Sequence, residues 1–291
     1  MKAIVAAACG NILGEGPVWH KGRNSFFWVD IEGQLVQEYG LLSGLTKRWK
    51  MPARTGMLAI VNDHELVVAL QGAVVLLNLN DASISTIITL DADKPMMRPN
   101  DGKCDSKGRL WVGTLHINLT YPVGSLYMLE GNILSKKLNG LTISNGMAWT
   151  ADNSFFYFID TPRQRVDAFI FDAEKGDIFF EQTVIHIPAE EGHPDGMCID
   201  AEGMLWVALW GGFAVKRFNP FTGALLATIE LPVPNITSCT FGGENLDELF
   251  ITSAKSELSA EQLVQYPLSG HSFICPTDVK GVEPFYFKKA F

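Results

Sequence analysis

The segment Asp195-Gly196-Met197-Cys198-Ile199 is followed, after Asp200-Ala201-Glu202, by Gly203-Met204-Leu205-Trp206-Val207-Ala208. Each half is a short apolar run bounded by Gly and Asp, which reads as two strands joined by a turn rather than as a helix. The unit recurs. Runs of the second kind are 25–29, 65–69, 108–113, 154–158, 203–208 and 248–252. The shorter run ahead of each opens at Glu15, Gly56, Asn100, Asn145, Asp195 and Ser238, in steps of 41, 44, 45, 50 and 43 residues. A period in this range, with about four strands per repeat, is that of a propeller blade. Six copies predict an all-β fold, a six-bladed β-propeller with four-stranded blades. The apolar N-terminus, Met1 to Cys9, has no blade of its own and is expected to form a strand that joins the last blade and closes the ring. No linker or composition shift divides the chain, so residues 1–291 are read as one propeller domain.

Composition narrows the function from outside. The chain has 23 Lys and Arg against 32 Asp and Glu, a net charge of −9, so no basic excess exists to neutralise a nucleic-acid backbone. No apolar run approaches the ~20 residues of a membrane span. The first nine residues are too short for a secretory h-region and its flanks. The five cysteines are odd in number and form no CxxC pair, which fits small buried thiols in a reducing, cytoplasmic setting. Helical pattern is confined to 259–265, where Ser259 and Gln262 make a capping box. Composition therefore argues against nucleic acid and membrane as partners, and a monomer or weak homo-oligomer is expected.

Searches for a GxSxG elbow, HExxH, a P-loop, GxGxxG or an EF-hand loop find nothing, and the six histidines lack metal-ligand spacing. What remains lies in the repeat. The innermost strand of each blade starts at one end of the central channel, so residues opening those strands converge. Among the six openings are Glu15, Asn100, Asn145 and Asp195. Converging carboxylate and amide oxygens suit a hard divalent cation, Ca²⁺, Mg²⁺ or Mn²⁺, with Zn²⁺ also compatible. The competing reading is that Asn-Gly, Asp-Gly and Asn-Asp-Gly are ordinary turns chosen for positive φ. Glu15, set between two glycines ahead of Pro17-Val18-Trp19, has no such turn role. Trp111, Trp149 and Trp206, with Met57, Met147 and Met197, sit at repeating strand positions and are expected in the core.

Leu13-Gly14-Glu15-Gly16-Pro17-Val18-Trp19, Arg98-Pro99-Asn100-Asp101-Gly102-Lys103, Ser144-Asn145-Gly146-Met147-Ala148-Trp149, Pro194-Asp195-Gly196 and Thr240-Phe241-Gly242-Gly243 resemble the gluconolactonase/regucalcin/luciferin-regenerating-enzyme family across essentially the whole chain. The resemblance implies a six-bladed propeller with one divalent metal in its channel, Glu15, Asn145 and Asp195 as ligands, and Arg98 and Asn100 holding substrate. One departure stands out. Animal members carry a glutamate pair in the loop after the Gly-Thr of the third blade, and one of the pair contacts the sugar. This chain reads Gly113-Thr114-Leu115-His116-Ile117-Asn118, so Asn118 or His116 stands where an acid would be. His193, two residues before Asp195, is a further candidate for the pocket wall, against the plainer reading of a solvated histidine beside a turn.

Together these observations predict metal-dependent hydrolysis of a sugar-acid lactone, with Asp195 as general base and the cation as Lewis acid. The alternatives are a non-catalytic calcium or small-ligand binding propeller, or a hydrolase of another ester, lactone or phosphoester.

Overall fold

The repeating Leu-Trp-Val runs are the second strands of six antiparallel sheets in a computed structural model that describes residues 1–289. Each sheet has four strands in sequence order, spanning 14–50, 55–90, 97–141, 144–186, 193–230 and, for the sixth, 236–276. The sixth sheet takes its outermost strand from the N-terminus, where Ile4–Ala7 pairs antiparallel with Ser272–Pro276. The first strands (Gly14–His20, Thr55–Asn62, Met97–Cys104, Ser144–Trp149, His193–Ile199 and Ile236–Gly242) pack side by side in an unbroken circle, the last against the first. This is the six-bladed propeller expected from the repeat. The capping box also forms, on the short helix Ala260–Gln265.

The core follows from that arrangement. Buried side chains fall into six clusters, and each cluster joins one pair of neighbouring blades. Trp111 and Trp149 meet edge-on at 5.7 Å between blades three and four, and Trp206 packs against Phe241 between five and six. Met57, Met147 and Met197 are fully buried in three of these interfaces. The aromatic positions of the repeat thus do one task, filling wedge-shaped gaps between twisted sheets.

The first strands are not regular. All six pairings with the second strands shift register near their start, between Glu15 and Val18, Thr55 and Met57, Pro99 and Gly102, Ser144 and Met147, Pro194 and Met197, and Ile236 and Ser238. Asn100-Asp101, Asn145-Gly146 and Asp195-Gly196 therefore occupy β-bulges inside a strand, not turns before one. Gly146 and Gly196 are absent from the residues with positive φ. Glycine is required there for space: a Cβ on Gly146 would lie 2.7 Å from the Asp195 carbonyl oxygen, and one on Gly56 would lie 2.5 Å from the Pro99 backbone. A bulge re-aims the side chain it carries and bends its strand, here toward the channel.

Two blades share a further device. In Asp105…Trp111, the Asp105 Oδ1 accepts from the backbone N–H groups of Lys107 and Arg109, while Oδ2 accepts from Trp111 Nε1 at 2.8 Å and Arg109 Nε at 2.7 Å. Asp200 does the same for Glu202, Met204, Trp206 and Arg217. One carboxylate so fixes both the hairpin turn and the tryptophan that fills the blade interface. At the far end of the channel, residues 282–285 cover the opening, and Phe287 donates its N–H to Ile60 O at 2.7 Å and is buried between blades two and three.

Asp105→Ala should cost about 3–5 kcal/mol in denaturant unfolding, because it strands the buried Arg109 guanidinium without a counterion; a loss below ~1 kcal/mol would show that the pair does not brace the blade. A second expectation concerns His20, whose pKa is lowered chiefly by burial, with Nδ1 unpartnered among the described residues. The unfolded chain takes up the proton first, so stability drops as pH falls through about 6.5, by at most about 1.4 kcal/mol per pH unit. His20→Gln should flatten that portion of the stability–pH curve; identical curves for both proteins would rule the effect out.

Candidate functional site

The first strands begin at one face of the ring. With the loops that join second to third strands, they enclose a cavity of about 570 Å³ at the mouth of the channel. Glu15, Arg98, Asn100, Asn118, Asn145 and Asp195 all line it, and so does His193. His116 is not among the lining residues. Its ring stands edge-on to Tyr121, and its Nδ1 accepts the Asn118 backbone N–H at 3.2 Å, so it shapes the loop from which Asn118 reaches the cavity. His193 Nδ1 lies 2.9 Å from Gln164 Nε2, at the rim.

A hydrogen-bonded chain runs along the floor. Arg98 Nη1 donates to Asn100 Oδ1 at 2.8 Å and to Pro99 O at 2.9 Å. Asn100 Nδ2 donates to Ser144 O at 2.9 Å and to Asn145 Oδ1 at 3.3 Å. Asn145 Nδ2 donates to Thr161 Oγ1 at 2.9 Å, and that hydroxyl donates to Pro194 O at 2.8 Å, next to Asp195. The chain crosses blades three, four and five. It sets the face of each amide: the Asn145 nitrogen is turned to Thr161, leaving its oxygen on the side of Asn100. Both edges of the Asn100 amide are engaged within the protein, which makes Asn100 a brace between Arg98 and Asn145.

Glu15 and Asp195 face the cavity from blades one and five. Both are buried, and neither has an ion-pair partner among the described residues. Burial pushes the Glu15 carboxyl well above the usual range, and repulsion from Asp195 and Asp101 adds to this. Burial and the nearby Asp101 raise Asp195 likewise, while the neighbouring Asn145, Glu15 and Arg98 pull the other way. Asp101 lies one bulge residue deeper, buried, with Oδ1 accepting from Gly102 N and Oδ2 unpartnered among the described residues. Burial lowers the Arg98 guanidinium to about 10, opposed by Glu32 and Glu15.

No cluster of three or more His, Cys, Asp or Glu side chains suited to a metal occurs among the described residues. The oxygen set at the mouth is a different kind, two carboxylates and an amide, so its fit to a cation is judged by donor chemistry. Two desolvated like charges without a counterion, beside an amide whose nitrogen is tied elsewhere, form a site that a hard divalent cation satisfies.

Sequence reasoning missed Thr161, Asp101, Glu32, Arg54 and Trp210, all but Asp101 in the lining of the same cavity. A signal existed for most of them. Glu32, Thr161 and Trp210 lie just past or at the end of a second strand, and Arg54 just before a first strand, which the repeat places at the same face as Glu15.

Among the described residues, no helix is long and apolar enough to cross a membrane. Residues 13–255 match the family described as SMP-30/Gluconolactonase/LRE-like region. The chain is 37% identical over 282 residues to regucalcin from Gallus gallus, covering 94% of either chain. Among solved structures, a calcium-binding protein, regucalcin, from Agrobacterium tumefaciens superposes with a TM-score of 0.94 at 27% identity, covering 98% of this chain and 96% of that one. A luciferin-regenerating enzyme superposes with a TM-score of 0.92 at 30% identity, covering 98% and 99%. With a sequence match spanning five of the six blades and part of the sixth, and identity sustained along nearly the whole chain, the protein belongs to the SMP-30/gluconolactonase/LRE-like family.

Proposed function

We propose that the protein hydrolyses the ring ester of a sugar-acid lactone, with a divalent cation held by Glu15, Asn145 and Asp195. The observation that carries this reading is the pair of buried, counterion-free carboxylates beside an oriented amide and a buried arginine with unused donors, all in one cavity of about 570 Å³. Membership in a family whose description includes gluconolactonase supports it, as does the calcium-binding Agrobacterium relative.

When bound, the cation supplies Lewis-acid polarisation of the lactone carbonyl. The remaining work falls to the chain. Arg98 keeps Nε and Nη2 free of protein partners among the described residues, and these donors orient substrate hydroxyls from a fixed planar fork. Asn100 holds that fork in place through its Oδ1. A carboxylate oxygen of Asp195 takes the proton of the attacking water and returns it to the departing ring oxygen, which balances the ring opening to the free acid. Ile117, Leu119 and Trp210 give the cavity an apolar wall that limits water around these charges. The calcium-binding relative also supports a second reading, an ion-binding protein without turnover.

Purified protein supplied with Ca²⁺, Mg²⁺, Mn²⁺ or Zn²⁺ should open aldonolactones in a pH-stat assay and lose the activity to a chelator. Asp195→Asn should lower kcat by about 10³-fold or more while the thermal unfolding midpoint stays at or above wild type. Metal-dependent turnover retained by the variant would remove Asp195 from the chemistry, and no turnover of any lactone by wild type would favour the ion-binding reading.

Thr161→Val tests the orientation of Asn145. Loss of the hydroxyl that holds the amide should weaken cation affinity about 10–100-fold by calorimetric titration, with kcat recovering at saturating metal. Unchanged affinity would mean that Asn145 needs no such support.

A further inference from the structure

On one wall of the cavity, Arg54 and Glu32 form an ion pair that neither the metal nor the ring-opening chemistry uses. Arg54 Nε donates to both Glu32 carboxylate oxygens, each at 2.9 Å. Its two terminal nitrogens have no hydrogen-bond partner among the described residues. Both side chains line the same cavity as Arg98, whose Nε and Nη2 are also free. The two guanidinium groups are close enough that Arg54 depresses the ionisation of Arg98, while Glu32 supports it. So the cavity presents the free Nη1–Nη2 edge of Arg54 beside the free donors of Arg98, and these two arginines with Glu32 sum to +1; a second carboxylate, Glu257, also lines the cavity and is exposed to solvent.

A partly exposed ion pair of this kind adds little to stability, about 0–1 kcal/mol. Its geometry is better suited to recognition. Tying Nε to Glu32 fixes the plane of the Arg54 guanidinium and leaves the Nη1–Nη2 edge for a planar anion, which arginine binds in a bidentate manner. The net charge selects among anions. Glu15 and Asp195 offset a bound divalent cation, so the +1 of Arg54, Arg98 and Glu32 matches one carboxylate, and the solvent-screened Glu257 weighs further against a phosphate dianion. Asn118, uncharged, faces the same space and opposes no anion.

We propose that Arg54, oriented by Glu32 and acting with Arg98, forms a subsite for a carboxylate carried by the substrate, so that the preferred lactone is that of a sugar diacid rather than a neutral aldonolactone. This rests on the lactonase reading for its reaction but not for its binding, and the two are tested separately.

D-glucaro-1,4-lactone and D-glucono-1,4-lactone differ only at C6, a carboxylate in the first and a hydroxymethyl group in the second. Wild type should show a kcat/KM at least about 10-fold higher for the carboxylated lactone, and Arg54→Gln should cut that ratio by about 10–100-fold. The side chains of Arg54 and Glu32 are 35% and 32% exposed, so neither substitution disturbs the core. Glu32→Gln raises the wall to +2 and should shift preference toward a lactone bearing a phosphate monoester, measured with 6-phospho-D-gluconolactone. Calorimetric titration with D-glucarate and D-gluconate gives a readout free of turnover: glucarate should bind metal-loaded wild type at least about 10-fold tighter, and Arg54→Gln should erase the difference. Turnover of both lactones with a ratio unmoved by Arg54→Gln would overturn the subsite and leave the lactonase reading intact. Absence of turnover with glucarate still preferred through Arg54 would overturn the lactonase reading and leave the subsite.

Discussion

Six strands converge on one axis, and the space between them sets the rest of the structure. Where first strands of neighbouring blades pass closest, there is room for a backbone but not for a Cβ, as at Gly56 against Pro99 and Gly146 against Asp195. The strands meet this constraint with a bulge at the same phase of every repeat, and with glycine inside it where contact is tight, at Gly56, Gly146 and Gly196. The bulge then turns Glu15, Asn100, Asn145 and Asp195 toward the cavity at the mouth. Close packing at the axis and the gathering of polar side chains at the mouth are one geometric event. A fold that relaxed the first would lose the second.

The electrostatics of the mouth follow from the same convergence. Glu15, Asp195 and Asp101 are brought together from three blades and desolvated, yet the described residues provide none of them with an ion-pair partner. Elsewhere buried carboxylates are met by cations or by backbone donors, Asp105 by Arg109, Asp200 by Arg217, and Asp30 by the N–H groups of Ile12, Leu13 and Gly33. The contrast separates acids that brace blades from acids left without such partners at the mouth of the channel. Arg98, buried beside them, is held through Asn100 and keeps two donors free of protein partners among the described residues.

Glu15, Asn100, Asn145 and Asp195 were legible in the chain because they occupy one phase of a repeat, and a repeat places equal phases at equal heights. The local reading of Asn145-Gly146 and Asp195-Gly196 as positive-φ turns does not hold: these glycines serve close packing at φ values that other residues also adopt. His116 and Asn118 could not be ranked from their spacing, since the loop bends His116 onto Tyr121 and sends Asn118 to the cavity. Thr161 and the Glu32–Arg54 pair were not seen at all. Thr161 matters only because it reaches Asn145 on one side and Pro194 on the next blade.

What the chain alone determined is periodic: six blades, their aromatic interfaces, the closing strand from the N-terminus, and the set of oxygen-bearing residues at the strand openings. Periodicity is written in neighbours a few residues apart and survives without knowledge of contacts. What the tertiary structure decided is relational: which carboxylates lack a counterion, which face of each amide is turned inward, and which loop arginine stands beside Arg98. Those properties depend on desolvation and hydrogen bonding between residues from different blades, far apart in sequence, and they exist only once the ring has closed.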